Sequence, residues 1–80
     1  MAQNIPMTVL SDALVGQTLR IVQVDGGKTL NRRLRSLGLT PGTTVKILQH
    51  RGRGVVLANE GNRVALGGGI ADKLWGEVID

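Results

Sequence analysis

Three runs rich in β-branched residues follow one another between Thr43 and Leu66. "TTVKIL" (Thr43–Leu48), "VVLAN" (Val55–Asn59) and "RVAL" (Arg63–Leu66) each have the length of a strand. The basic, glycine-rich loop "QHRGRG" and the turn "NEGN" separate them, and both carry residues that reverse a chain. Upstream, "TLRIVQVD" (Thr18–Asp25) reads as another strand, and downstream "KLWGEVI" (Lys73–Ile79) as a fifth. The first of these alternates imperfectly. Leu19 and Ile21 share one face, and then Val22 and Val24 share the other, so a bulge is expected within it. "GGGIAD" (residues 67–72) breaks the sheet with a single helical turn. Five short strands with one inserted helix, in about seventy residues, predict a mainly β fold, a small barrel whose closure protects its edges.

The inserted helix is read from a change of period. Leu30, Leu34 and Leu37 recur at i, i+4 and i+7, which puts them on one stripe of a helix over Lys28–Leu37. Arg32 and Arg35 point away from that stripe and Arg33 flanks it. Gly38 stands where a left-handed C-cap is wanted, and Pro41-Gly42 turns the chain into the next strand. Ahead of the first strand, Ser11 or Asp12 is a candidate N-cap for one short helical turn, with Gly16 as its stop. Met1 to about Thr8 show no periodicity and include Pro6. Residues 1–9 are therefore read as a flexible N-terminal lead and 10–80 as the single domain.

Composition narrows the function classes. The chain has 80 residues, no cysteine, no phenylalanine or tyrosine, and Trp75 as its one aromatic. Its core is then aliphatic, and neither a disulfide nor a thiolate metal site is available. His50 is the only histidine, and acidic residues such as Asp25, Glu60, Asp72, Glu77 and Asp80 are scattered, so no metal ligand set and no cofactor is expected. The same scarcity of acid, base and nucleophile argues against an enzyme. "GGKT" (Gly26–Thr29) follows a strand and opens a helix, where a phosphate loop belongs, but Val22 occupies the place of the required first glycine. It is read as a turn and a helix start. No apolar run approaches membrane-spanning length and no signal peptide is evident, which predicts a cytoplasmic protein.

Ten Lys and Arg against six Asp and Glu give a net charge of +4, which favours an acidic partner. Arg32 and Arg35 on the outer helix face, Arg51 and Arg53 at a hairpin tip, and an outward Trp75 are the candidate partner-binding residues. Trp75 reads equally well as a core filler, because a core without Phe or Tyr has use for one large side chain. Nucleic acid is the competing partner, yet base recognition adds aromatic platforms that this chain lacks, leaving only phosphate contact.

"LRSLGLTPGTTVKIL" and "NRVALGGGIADKL" resemble the two signature segments of the FeoA family, and "LSDALVGQTLRIVQVDGG" is similar to its opening strand and preceding turn. The resemblance runs from about Leu10 to Val78. It departs in the short "HRGRG" loop and in the Gly67–Gly69 run, where many members carry a longer or more basic segment. It implies an SH3-like β-barrel, similar to the C-terminal barrel of iron-dependent repressors. It also implies a role in ferrous-iron uptake, as a regulator of FeoB, a membrane transporter with a cytosolic GTPase domain. The protein would then be cytoplasmic, and peripheral to the inner membrane through that partner. Weak self-association is compatible with such a domain.

Overall fold

Which face of each strand meets the core follows from side-chain alternation. In a computed structural model that describes residues 6–80, Leu19 and Ile21, Val45 and Ile47, and Val55 and Leu57 all point inward and are buried. They belong to β2 (Thr18–Val24), β3 (Thr44–Arg51) and β4 (Gly54–Asn59). The remaining strands are β1 (Met7–Val9), β5 (Asn62–Leu66) and β6 (Leu74–Val78). All six form one antiparallel sheet in the order β1-β6-β2-β3-β4-β5. The helices are α1 (Lys28–Ser36) and the single turn α2 (Gly68–Ala71), and a 3-10 turn spans Leu10–Asp12. That 3-10 turn packs against β4, β6 and α2, and its Leu10 is fully buried, so it stoppers the barrel between non-adjacent strands.

The mainly β fold agrees with the sequence reading, and so does the bulge. Pairing of β2 with β6 shifts register between Ile21 and Gln23, and Val24 then packs on the core. Four details differ. Met7–Val9, assigned to a lead, form the edge strand β1, because the outer edge of β6 offers backbone partners and three residues are too few to show a period. Residues 1–5 of that lead lie outside the described residues. The sheet therefore has six strands, and its two edges, β1 and β5, are kept short rather than paired to each other. The expected loop "QHRGRG" is mostly strand: β3 runs to Arg51 and β4 starts at Gly54, so Gly52 and Arg53 alone make the turn. Ser11, finally, is no N-cap. Its hydroxyl reaches across the fold to Asp72.

The leucine stripe of α1 is only partly buried. Leu34 is enclosed and Leu30 packs against the core, but Leu37 is 41% exposed. The cause is the helix end. Gly38 adopts φ +78°, Leu39 N–H donates to Leu34 O (2.8 Å) and Gly38 N–H donates to Arg35 O (3.0 Å). These two bonds are a Schellman reversal, in which the residue after glycine returns to the helix. Leu39, buried, takes the core place that a longer helix would have given Leu37. The Asn59 side chain braces the same end, with Nδ2 donating to Gly38 O at 3.3 Å.

A polar clasp holds the other end of β4. Arg53 Nη2 lies 2.5 Å from Asp72 Oδ1, and the Ser11 hydroxyl donates to the same oxygen. The clasp ties the β3–β4 turn to the segment after α2 and to the 3-10 turn. The guanidinium of Arg53, and secondarily the hydroxyl of Ser11, hold the Asp72 carboxyl below the usual carboxylate range, while the pKa of Arg53 is raised by the same hydrogen bond.

Three outcomes are expected. Leu34→Ala should cost ~2–5 kcal/mol in a denaturant titration, the usual result of truncating a buried leucine. Glu60 holds φ +50° in the two-residue turn between β4 and β5. Replacing it with Asn, the residue such turns favour before glycine, should recover part of the roughly 1–2 kcal/mol that a left-handed conformation costs. Because the pKa of Asp72 is depressed on folding, its contribution is complete above the unfolded value of about 4 and is lost as pH falls through the folded value. The gap in melting temperature between wild type and Asp72→Asn should therefore narrow as pH drops below about 4.

Candidate functional site

The helix α1 has two opposed faces. Leu30 and Leu34 lie on the face turned to the barrel, and Lys28, Asn31, Arg32 and Arg35 line an open groove on the outside. At 100° per residue these four fall within an arc of about 100°; Lys28 and Arg32 lie farthest from the leucines, and Asn31, about 60° from Leu34, forms the edge nearest the barrel. Lys28, Arg32 and Arg35 thus repeat the i, i+4, i+7 spacing on the solvent side. Arg33 lies off this ridge, about 100° from Arg32. No acidic residue occurs in α1. Among the described residues the ion pairs are Arg20 with Glu77 and Arg53 with Asp72, and neither involves the helix.

The ridge is built against local electrostatics at one end. Lys28 is the first helical residue, the N-cap Gly27 supplies no side-chain bond, and the first turn holds no acid. A cation there opposes the positive end of the helix dipole, whereas Arg33 and Arg35 in the last turn complement the negative end. Asn31 does not supply the missing cap, since a cap accepts from backbone N–H groups; it braces the approach to the helix instead. Its Nδ2 donates to the carbonyls of Gly26 (3.1 Å) and Gly27 (3.0 Å).

The five residues singled out from the sequence do not form one surface. Arg32 and Arg35 share the ridge. Arg51 and Arg53 sit at the far end of β4, which is about 17 Å from Asn59 at five residue steps of ~3.3 Å. Arg53 is also occupied by Asp72 and Ser11, although its side chain remains 65% exposed. Trp75 lies on the outer side of β6, half-buried, between Val9 of β1 and Gln23 of β2. It is no core filler: its indole N–H donates to Asp25 Oδ2 at 2.8 Å, and Gln23 Nε2 donates to Oδ1 of the same carboxylate at 2.5 Å. Asp25 precedes α1 by two glycines, so Trp75 is tethered near the helix start but does not line the groove. Sequence reading missed Lys28 and Asn31 as members of this site. The signal was present in their i, i+3, i+4, i+7 relation to Arg32 and Arg35, but it was masked by the reading of "GGKT" as a turn.

His50, expected in a solvated loop, is instead a half-buried residue of β3 whose Nε2 meets the carbonyl of Ala13. A carbonyl only accepts, so that nitrogen carries the proton, and His50 pins the chain leaving the 3-10 turn. Among the described residues no three His, Cys, Asp or Glu side chains converge as a metal would require. No helix of the described residues is long and apolar enough to cross a membrane.

Comparison with known proteins agrees with this architecture. A curated relative from Methanocaldococcus jannaschii, provisionally named Fe(2+) transport protein A, is 28% identical over 89% of this chain and 87% of its own. The crystal structure of an iron uptake regulatory protein, FeoA, superposes with a TM-score of 0.86 at 29% identity, covering 92% of this chain and all of the other. A manganese-dependent transcriptional repressor shares the fold at 20% identity and a TM-score of 0.85, with 96% of this chain matching 44% of the repressor. The model of the FeoA domain matches residues 8–78, nearly the whole of the described barrel, and the chain belongs to that family.

Proposed function

We propose that this protein is a non-enzymatic accessory of ferrous-iron uptake. It works in the cytoplasm and binds the cytosolic part of a FeoB-type GTPase-permease, where it alters nucleotide turnover or assembly of the transporter. Membership of the FeoA family supports the iron-uptake context, as do the names of its relatives. The observation that carries the docking surface is the cationic face of α1, which forms no ion pair among the described residues and is held outward by the burial of Leu34. Ferrous iron is then the cargo of the partner. His50, the one imidazole, would have to give up its bond to Ala13 to offer Nε2 to a metal.

The competing partner, nucleic acid, draws only on the net charge of +4. Binding to a phosphate backbone grows with the number of phosphates neutralised and weakens steeply with salt. The ridge offers three cations, and Trp75, the one base-stacking candidate, has its indole edge tied to Asp25.

The test is capture of the purified cytosolic domain of the transporter. Arg32→Glu combined with Arg35→Glu should abolish capture and leave the melting temperature within a few degrees of wild type, since exposed charges contribute only ~0.2–1 kcal/mol each. Trp75→Ala should weaken capture if the surface extends past the helix start. Intact capture by the double reversal, with loss of DNA or RNA binding instead, would transfer the assignment to nucleic acid.

A further inference from the structure

We propose that the ridge of Lys28, Asn31, Arg32 and Arg35 receives an acidic α-helix whose carboxylates recur at i, i+4 and i+7. The inference rests on the adaptor reading above and names the chemistry of the segment that this face recognises.

Three observations lead to it. First, the spacing of the cations is itself helical. From Lys28 to Arg35 the ridge rises about 10.5 Å, at 1.5 Å per residue, and a second helix lying alongside presents carboxylates at the same rise. Guanidinium groups take carboxylates through two parallel hydrogen bonds, so Arg32 and Arg35 fix register as well as charge. Secondly, Lys28 stands where the helix dipole disfavours a cation, and among the described residues it forms no ion pair. An anion supplied from outside gives that position a use that folding alone does not. Thirdly, Asn31 interrupts the cations. Its amide nitrogen is committed to Gly26 and Gly27, so its side-chain oxygen is what it can offer a ligand. A helix can place a neutral donor opposite that oxygen, between its carboxylates. A continuous run of phosphates can place only more acceptors there.

The experiment uses the full chain and fluorescently labelled synthetic peptides, with affinity read by anisotropy at low and physiological salt. One alanine-based helix carries four glutamates on a single i, i+4, i+7, i+11 stripe. A second has the same composition with the glutamates spread around the helix, and a single-stranded oligonucleotide serves as the phosphate probe. The striped peptide should bind roughly tenfold tighter than the scattered one, as expected if two or three exposed ion pairs form only in register. Lys28→Ala, Arg32→Ala and Arg35→Ala should each weaken it by about 2–5-fold. Arg33→Ala removes the same charge off the ridge and should leave the affinity unchanged.

Lys28→Glu supplies a second readout. It should abolish peptide binding while the melting temperature stays at or above that of wild type, because an acid at the helix start suits the dipole. Equal affinity for the two peptides, no binding of either, tighter binding of the oligonucleotide, or an Arg33→Ala loss equal to that of Arg32→Ala would each overturn the proposal. So would a Lys28→Glu protein that melts well below wild type, since Lys28 would then be structural. If wild type captures the transporter domain yet ignores the stripe, the helix proposal alone fails. If the striped peptide binds and the transporter domain does not, the adaptor reading alone fails.

Discussion

The reversal at Gly38 is the constraint on which the rest of the molecule depends. Two hydrogen bonds, from Leu39 to Leu34 and from Gly38 to Arg35, bring the chain back under the helix it has just left. Leu34 and Leu39 thereby enter one core, and the rotation of α1 about its own axis is fixed by which leucine is buried. With that rotation set, the cationic side of the helix has nowhere to face but solvent. A β-carbon at residue 38 would meet strain at φ +78° and would also crowd the Asn59 amide, to which a Cβ would come within 3.0 Å. The strand end that supplies Asn59 and the helix end that needs it are therefore fitted to each other.

The architecture follows from economy in a chain with one aromatic residue. A core of leucine, isoleucine, valine and alanine fills a small barrel only if the strands curl tightly. The shift in β2 after Ile21 and another in β3 after Ile47 supply that curl. Where the sheet does not close on itself, the 3-10 turn at Leu10 covers the gap, and Gly76 lets β6 pass close to the side chains of Leu10 and Leu19.

How much of this was legible depends on whether the signal was local. Strand periods, the bulge in β2 and the C-capping role of Gly38 are written in neighbouring residues, and they could be read directly. Features made by distant partners could not. Met7–Val9 become a strand because β6 offers an edge, His50 is half-buried because Ala13 presents a carbonyl, and Ser11 faces inward because Asp72 and Arg53 meet it there. The helix arginines were found from charge, but the members that give the ridge its length were not. Lys28 sits in "GGKT", read as a turn and a helix start, and Asn31 carries no charge. Trp75 was ambiguous for a similar reason, since only the fold shows that Asp25 waits for its indole N–H.

Charge is divided by task across the molecule. Arg20 bonds Glu77 on the neighbouring strand, with Nε 3.1 Å from Oε1, and Arg53 closes the clasp with Asp72 and Ser11. Both cations are spent within the fold, where each links elements that are remote in sequence. Among the described residues the cations of α1 are not, although Glu60 also stands outside the ion pairs. An isolated helix gains from acids three or four residues from its cations, and α1 has none. Its stability must instead come from Leu34 and the Gly38 reversal, both on the buried side. Because the cations of the ridge and the leucines that hold the helix are different side chains, Lys28, Arg32 and Arg35 can be substituted without repacking the core; Asn31 alone serves both sides, through its bonds to Gly26 and Gly27. Such separation suits a chain of 80 residues with little stability to spare, since the proposed docking face can change while the core that holds it stays intact.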